Sequence, residues 1–105
     1  MTELLVGADT ARGFNQITSS GKPFYSLAAK AHEVRIEDIA EHLSRQCRFA
    51  GALRPDIEHY SVAQHCVYVS IFVPSEFALE GLLHDAAEAY LGDLIRPLKL
   101  KCPEY

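Results

Sequence analysis

The chain contains no CxxC pair: Cys47, Cys66 and Cys102 are odd in number and widely spaced, which argues against a zinc ribbon or a disulfide framework. A reducing, cytoplasmic setting is expected. A surplus of positive charge is also missing. With 14 acidic and 10 basic residues and a formal net charge of −4, there is no basic patch of the kind that dominates affinity for a phosphate backbone. Duplex DNA or RNA is therefore not an expected partner. Long apolar runs are absent as well: the early "LLVGA" is too short for the core of a signal peptide, and nothing approaches the length of a membrane span. No membrane partner is expected. Internal repeats and low-complexity tracts do not occur.

What is present suits one domain. At 105 residues and 49% hydrophobic, the chain can bury one modest core. Residues 1 to 33 carry Gly7, Gly13, Gly21 and Pro23, and the turn-like "SSGKP" separates "NQIT" from "FYSL", which predicts a small hairpin near the N-terminus. From Ile36 the pattern changes. Ile36, Ile39, Ala40, Leu43 and Cys47 recur at helical spacing, with acidic residues early and Arg45 and Arg48 late, so a helix is predicted over about 36–47. Gly51 and Pro55 then mark a loop, and Ser61 offers an N-cap.

"SVAQHCVYVSIFV" is apolar on nearly every side and ends at Pro74, which predicts a buried helix, although its β-branched content leaves a strand open. Ser75 is read as the cap of one continuous helix through "EFALEGLLHDAAEAYL", closed by Gly92, and "DLIRPLKL" as the start of another near Pro97. These elements make an all-α domain. Within the long helix, Leu79, Leu82, Leu83, Ala86 and Tyr90 fall on one arc, the expected core face, and Glu76, Glu80, His84 and Glu88 lie opposite. On that reading His84, Asp85 and Glu88 are a solvated face.

His65 points elsewhere, because it lies among Val62, Val69 and Phe72 rather than on a polar face. A buried polar group left unsatisfied costs about 1–3 kcal/mol, so this imidazole needs a partner. A backbone carbonyl would serve. But the turn at Pro74 and Ser75 folds the two helices antiparallel, which brings His65 and the His84 and Asp85 pair to similar depth. Two imidazoles and a carboxylate suit one divalent ion, and the donor set does not choose among Zn, Fe, Co, Ni, Mn and Mg. The pattern is not HExxH, since no second histidine follows at the fourth position.

"YSVAQHC" followed by "ALEGLLHDAAEAYLGDLIRPLK" resembles the HD-domain metal-dependent phosphohydrolases, especially bacterial and phage proteins similar to the 5′-deoxynucleotidases. "ITSSGKPF" and "IEDIAEHLSRQCRFAG" extend the likeness to most of the chain from about residue 17. The resemblance implies an HD-domain-like helical bundle that hydrolyses phosphate monoesters, nucleoside 5′-monophosphates foremost, through one divalent metal ion. It implies His65, His84 and Asp85 as metal ligands, Glu88 and Asp93 as catalytic carboxylates, and Arg48 with Phe49 against the substrate phosphate and its surroundings. Arg48 also fits a plainer part, satisfying carbonyls at a helix C-terminus.

One departure stands out. The family pattern continues to a further aspartate ligand on a later helix, and these 105 residues do not reach it, so the bundle is expected to be incomplete at its C-terminal side. Weaker metal binding and lower activity than in a complete homologue follow. The alternative is a degenerate, non-catalytic HD module that binds a nucleotide or a protein partner; a metal-free helical interaction protein is a third reading. His32, His42 and His59 are given no role, and a homo-oligomer is compatible with the sequence without being required by it.

Overall fold

The computed structural model describes residues 10–102. The "LLVGA" run and Pro103–Tyr105 lie outside these residues. Two short strands, β1 (Gln16–Ile17) and β2 (Pro23–Phe24), pair antiparallel with Gln16 opposite Phe24 and Ile17 opposite Pro23. The turn closes through Thr18 and Lys22 at 2.9 Å, and Gly21 takes the positive φ of 83° that this reversal requires. The expected hairpin is therefore there, with shorter strands.

Helices make up the rest: α1 (Ile36–Arg45), α2 (Val62–Phe72), α3 (Ala78–Leu83), α4 (Glu88–Leu91) and α5 (Arg96–Lys99). The fold is all-α with an N-terminal hairpin. Asp38 of α1, only 1% exposed, accepts hydrogen bonds from the Ser20 backbone N–H and hydroxyl at 3.0 Å each and so fastens the hairpin to the bundle. His42 completes that fastening. Its Nε2 accepts from the Ser19 N–H at 3.0 Å, and its Nδ1 lies 2.9 Å from the Ala89 carbonyl. Phe24 of the hairpin stacks on Tyr90 with ring centroids 4.0 Å apart, and Leu43, Val62, Cys66 and Ala89 complete the core.

α2 starts where expected. Ser61 accepts from the Gln64 N–H at 3.0 Å while Gln64 Oε1 accepts from the Ser61 N–H at 2.8 Å, a reciprocal cap that selects helix over strand. Its burial differs from expectation: Val62 and Cys66 are buried, but Val67, Tyr68, Ile71 and Phe72 are exposed, because α3 and α1 cover one side only among the described residues. No helix among the described residues is long and apolar enough to cross a membrane.

The predicted continuous helix from Ser75 to Leu91 is corrected. Ser75–Phe77 forms a single tight turn with no side-chain cap, α3 ends at Leu83, and residues 84–87 form turns before α4. Here the backbone bonds shorten to three-residue steps, Ala86 to Leu83 at 3.0 Å and Glu88 to Asp85 at 2.9 Å. The expected core face is corrected too. Tyr90 is buried as expected, but Leu79 is 67% exposed and Leu82 and Leu83 are about 40% exposed, whereas Gly81, Asp85, Glu88 and Ala89 are buried. Gly81 explains the rotation: a Cβ there would lie 3.3 Å from Ser70 Cα and from methyl groups of Val69 and Val73, so the bare backbone is what lets α3 lie against α2. That approach turns the carboxylates inward and the leucines out.

Candidate metal centre

The two segments that carry the site are locked at their starts. Backbone bonds from Val62 to Gln46 and from Arg48 to Tyr60, both 2.8 Å, tie the end of α1 to the entry of α2. His65 thus sits one turn into α2, with Arg48 nearby. Opposite it, the tight steps after α3 direct Asp85 into the interior, 7% exposed, while His84 stays at the rim.

These three residues converge. His65 Nε2 is 3.5 Å and His84 Nε2 is 3.1 Å from the same oxygen, Asp85 Oδ2, and the two imidazole centroids are 5.2 Å apart. One ligand atom from each lies within 4.8 Å of the others, close enough for all three to share one ion. His84 Nδ1 is 2.6 Å from the Gly81 carbonyl, to which it can only donate, so Nε2 is the nitrogen turned to the cluster. Burial, with the Arg48 charge adding to it, pushes His65 below the ordinary histidine range against the pull of Asp85. That direction favours the neutral imidazole, the form a metal ligand needs. The donor set fits a divalent ion.

Beside the cluster runs a second charged group. Glu88 is 4% exposed, and its Oε1 accepts a hydrogen bond from Lys99 of α5. Burial pushes its carboxyl up to about 7; the Lys99 hydrogen bond opposes that rise, and the Asp93 and Asp85 carboxyls add to it. A carboxyl at about 7 exchanges protons near neutrality, the property a general acid or base needs. Asp93 follows Gly92, whose φ of 90° turns the chain back over the site. Its carboxylate accepts from Arg48 Nη1 at 3.2 Å.

Arg48 lies beyond the end of α1, so it does not satisfy that helix's carbonyls. Its guanidinium rests 4.9 Å from the centre of the Phe49 ring, and its buried Nε has no hydrogen-bond partner among the described residues. Phe49 and Ala50 hold φ of 58° and 52°, a left-handed conformation that costs non-glycine residues about 1–3 kcal/mol each. This strain turns the Phe49 ring into a cavity of about 580 Å3 whose lining also includes Arg48, His65, His84, Asp85 and Asp93.

The structure therefore brings six of the seven predicted residues to one cavity, with Glu88 directly behind it. Sequence reasoning missed Lys99 and Arg96, which line the same cavity, and Gln46, whose amide donates to the Glu88 carbonyl at 3.0 Å. No periodicity links these residues to their partners. The only signal was that two basic residues follow Gly92 within the predicted last helix. Cys66, beside His65, is not a nucleophile candidate, because burial pushes its thiol up.

No family model matches the chain. It is 51% identical over 88 residues to the uncharacterized protein YfdR of Escherichia coli (strain K12), an alignment that covers 84% of this chain and 48% of that protein. It is 37% identical over 87 residues to an uncharacterized protein of Rhodobacter capsulatus, covering 76% of this chain and 44% of that one. The chain spans about half the length of the curated relatives it matches. Neither relative's name carries an activity, so a functional reading rests on the site itself.

Proposed function

We propose that this chain carries the metal site of an HD-domain-type phosphohydrolase acting on phosphate monoesters, with nucleoside 5′-monophosphates as the foremost substrates. One observation carries the reading: a His65, His84 and Asp85 cluster, with Asp85 buried and His84 at the rim, borders a cavity that also holds Arg48, Arg96 and Lys99. Metal ligands beside cations are what a phosphate dianion requires.

A divalent ion bound by the two imidazoles and the carboxylate would acidify a water and polarise the phosphoryl oxygens. The remaining work belongs to the chain. Arg48, steadied by Asp93, would clamp the phosphate, using guanidinium N–H groups that Asp93 does not occupy. Glu88 would take the proton from the attacking water and return it to the departing alcohol oxygen, so that water and ester give alcohol and inorganic phosphate. Lys99 would hold the Glu88 carboxyl in place during both transfers.

Burial of Glu88 favours the catalytic reading over a non-catalytic module. A scaffold gains nothing from a carboxyl buried at that cost, and hydrophobic replacement of buried ionic groups is often stabilising. The test is release of inorganic phosphate from a panel of nucleoside 5′-monophosphates with added Mn, Co, Mg or Zn. Metal-dependent release that Asp85→Asn and Glu88→Gln both abolish is expected; release that survives Asp85→Asn, or none with any metal, would overturn the reading.

A further inference from the structure

Beyond Phe49 lies a second cavity of about 470 Å3, lined in part by Leu53, Ile57, His59, Tyr60 and Gln64. Phe49 borders both cavities and is 50% exposed. It thus stands as a partition between the charged chamber that holds the metal cluster and a chamber of a different chemical kind.

The second chamber suits a flat, weakly polar group. Leu53 and Ile57 supply aliphatic wall, and Phe49 and Tyr60 supply aromatic surface. Gln64 spends its Oε1 on the Ser61 N–H and hydroxyl, at 2.8 and 3.2 Å, so its NH2 group has no acceptor among the described residues. His59 Nε2 lies 3.3 Å from the Ser44 carbonyl, which puts the proton of a neutral ring on Nε2 and leaves Nδ1 as an acceptor. A second phosphate finds little there, since the cation at this cavity, Arg54, is already paired with Asp56 at 3.0 Å.

We infer that this chamber is a nucleobase subsite: a nucleotide with its phosphate at the His65, His84 and Asp85 cluster passes its sugar beside Phe49 and lays its base against Tyr60 and Leu53. Gln64 donates to the edge of the base and His59 Nδ1 accepts from it. Aromatic surface with a few unspent side-chain donors and acceptors is the recurring way proteins hold an unpaired base. The inference rests on the phosphohydrolase reading for the phosphate end and adds the group that distinguishes a nucleotide from a simple sugar phosphate.

The experiment compares two hydrolysis-resistant ligands on the metal-supplemented 105-residue chain: a nucleoside 5′-phosphonate, and the same phosphonate on deoxyribose alone. The nucleoside compound is expected to bind about tenfold tighter or better. Leu53→Trp, which fills the chamber, should bring the two affinities together. Gln64→Glu, which keeps the oxygen that caps α2 but removes the amide donor, should narrow their ratio several-fold and serves if Leu53→Trp misfolds. Equal affinities in the unmodified chain, or a ratio that neither substitution changes, would overturn the subsite while leaving the phosphate reading intact. Failure of both phosphonates to bind would overturn the phosphate reading and the subsite with it.

Discussion

Lys99 reaches back across eleven residues from α5 to donate to Oε1 of Glu88, joining the last described helix to the carboxyl behind the His65, His84 and Asp85 cluster. The contact lowers the Glu88 carboxyl against burial, which pushes it to about 7. Replacing Lys99 with Met removes the ammonium and keeps the stem. The acidic limb of the kcat/KM profile for phosphate release should then move to higher pH, because the group that must be ionised becomes harder to ionise, while Lys99→Arg should leave the limb near its original position. An unchanged limb in Lys99→Met would detach Lys99 from Glu88.

The same carboxyl gives a stability prediction with a definite sign. Glu88 has a folded value of about 7 against an ordinary value of 4.5, so between those pH values the folded chain holds more protons than the unfolded one. Stability from this group therefore falls as pH rises through that window. Glu88→Gln, neutral at every pH, should gain on the unmodified chain from about pH 4.5 to about pH 7 and stay level beyond it. Urea midpoints in the presence of chelator measure the difference; a gap that does not widen with pH contradicts the burial argument.

Gly81 tests how the site is assembled. Its missing side chain lets α3 lie against Ser70, Val69 and Val73, with 3.3 Å left for a Cβ. Gly81→Leu should cost about 1–3 kcal/mol by overpacking and should weaken metal binding as well, since it pushes Asp85 away from His65. Thermal unfolding with and without added metal reads both effects. A destabilised variant that still binds metal normally would show that the site does not depend on this helix contact.

Much of the scaffold is legible from local signals. Gly21 marks the hairpin turn, the Ser61 and Gln64 cap marks the start of α2, Pro74 marks its end, and Gly92 marks the reversal before Asp93. The antiparallel return of the chain at Pro74 likewise brings His65 opposite His84 and Asp85, as the spacing of these residues about the turn implies. The orientation of the third segment is not legible, because a helical wheel assigns burial by hydropathy. Here the narrow face at Gly81 decides which side is covered, so Leu79 stays exposed while Asp85 and Glu88 go inside. The break at residues 84–87 carries no glycine or proline to announce it. Contacts such as Asp38 with Ser20 and Lys99 with Glu88 join residues of different elements, and one-dimensional periodicity contains no record of them.

The central claim is that His65, His84 and Asp85 form a metal site, and bound metal tests it before any substrate is known. The purified chain is equilibrated with Zn, Mn or Co, freed of excess, and assayed for metal alongside His65→Ala and His84→Ala, with circular dichroism confirming that each variant is folded. About one ion per chain, lost or bound at least about tenfold more weakly in both folded variants, is the predicted result. An unmodified chain that retains no ion, or variants that retain as much as it does, would contradict the account.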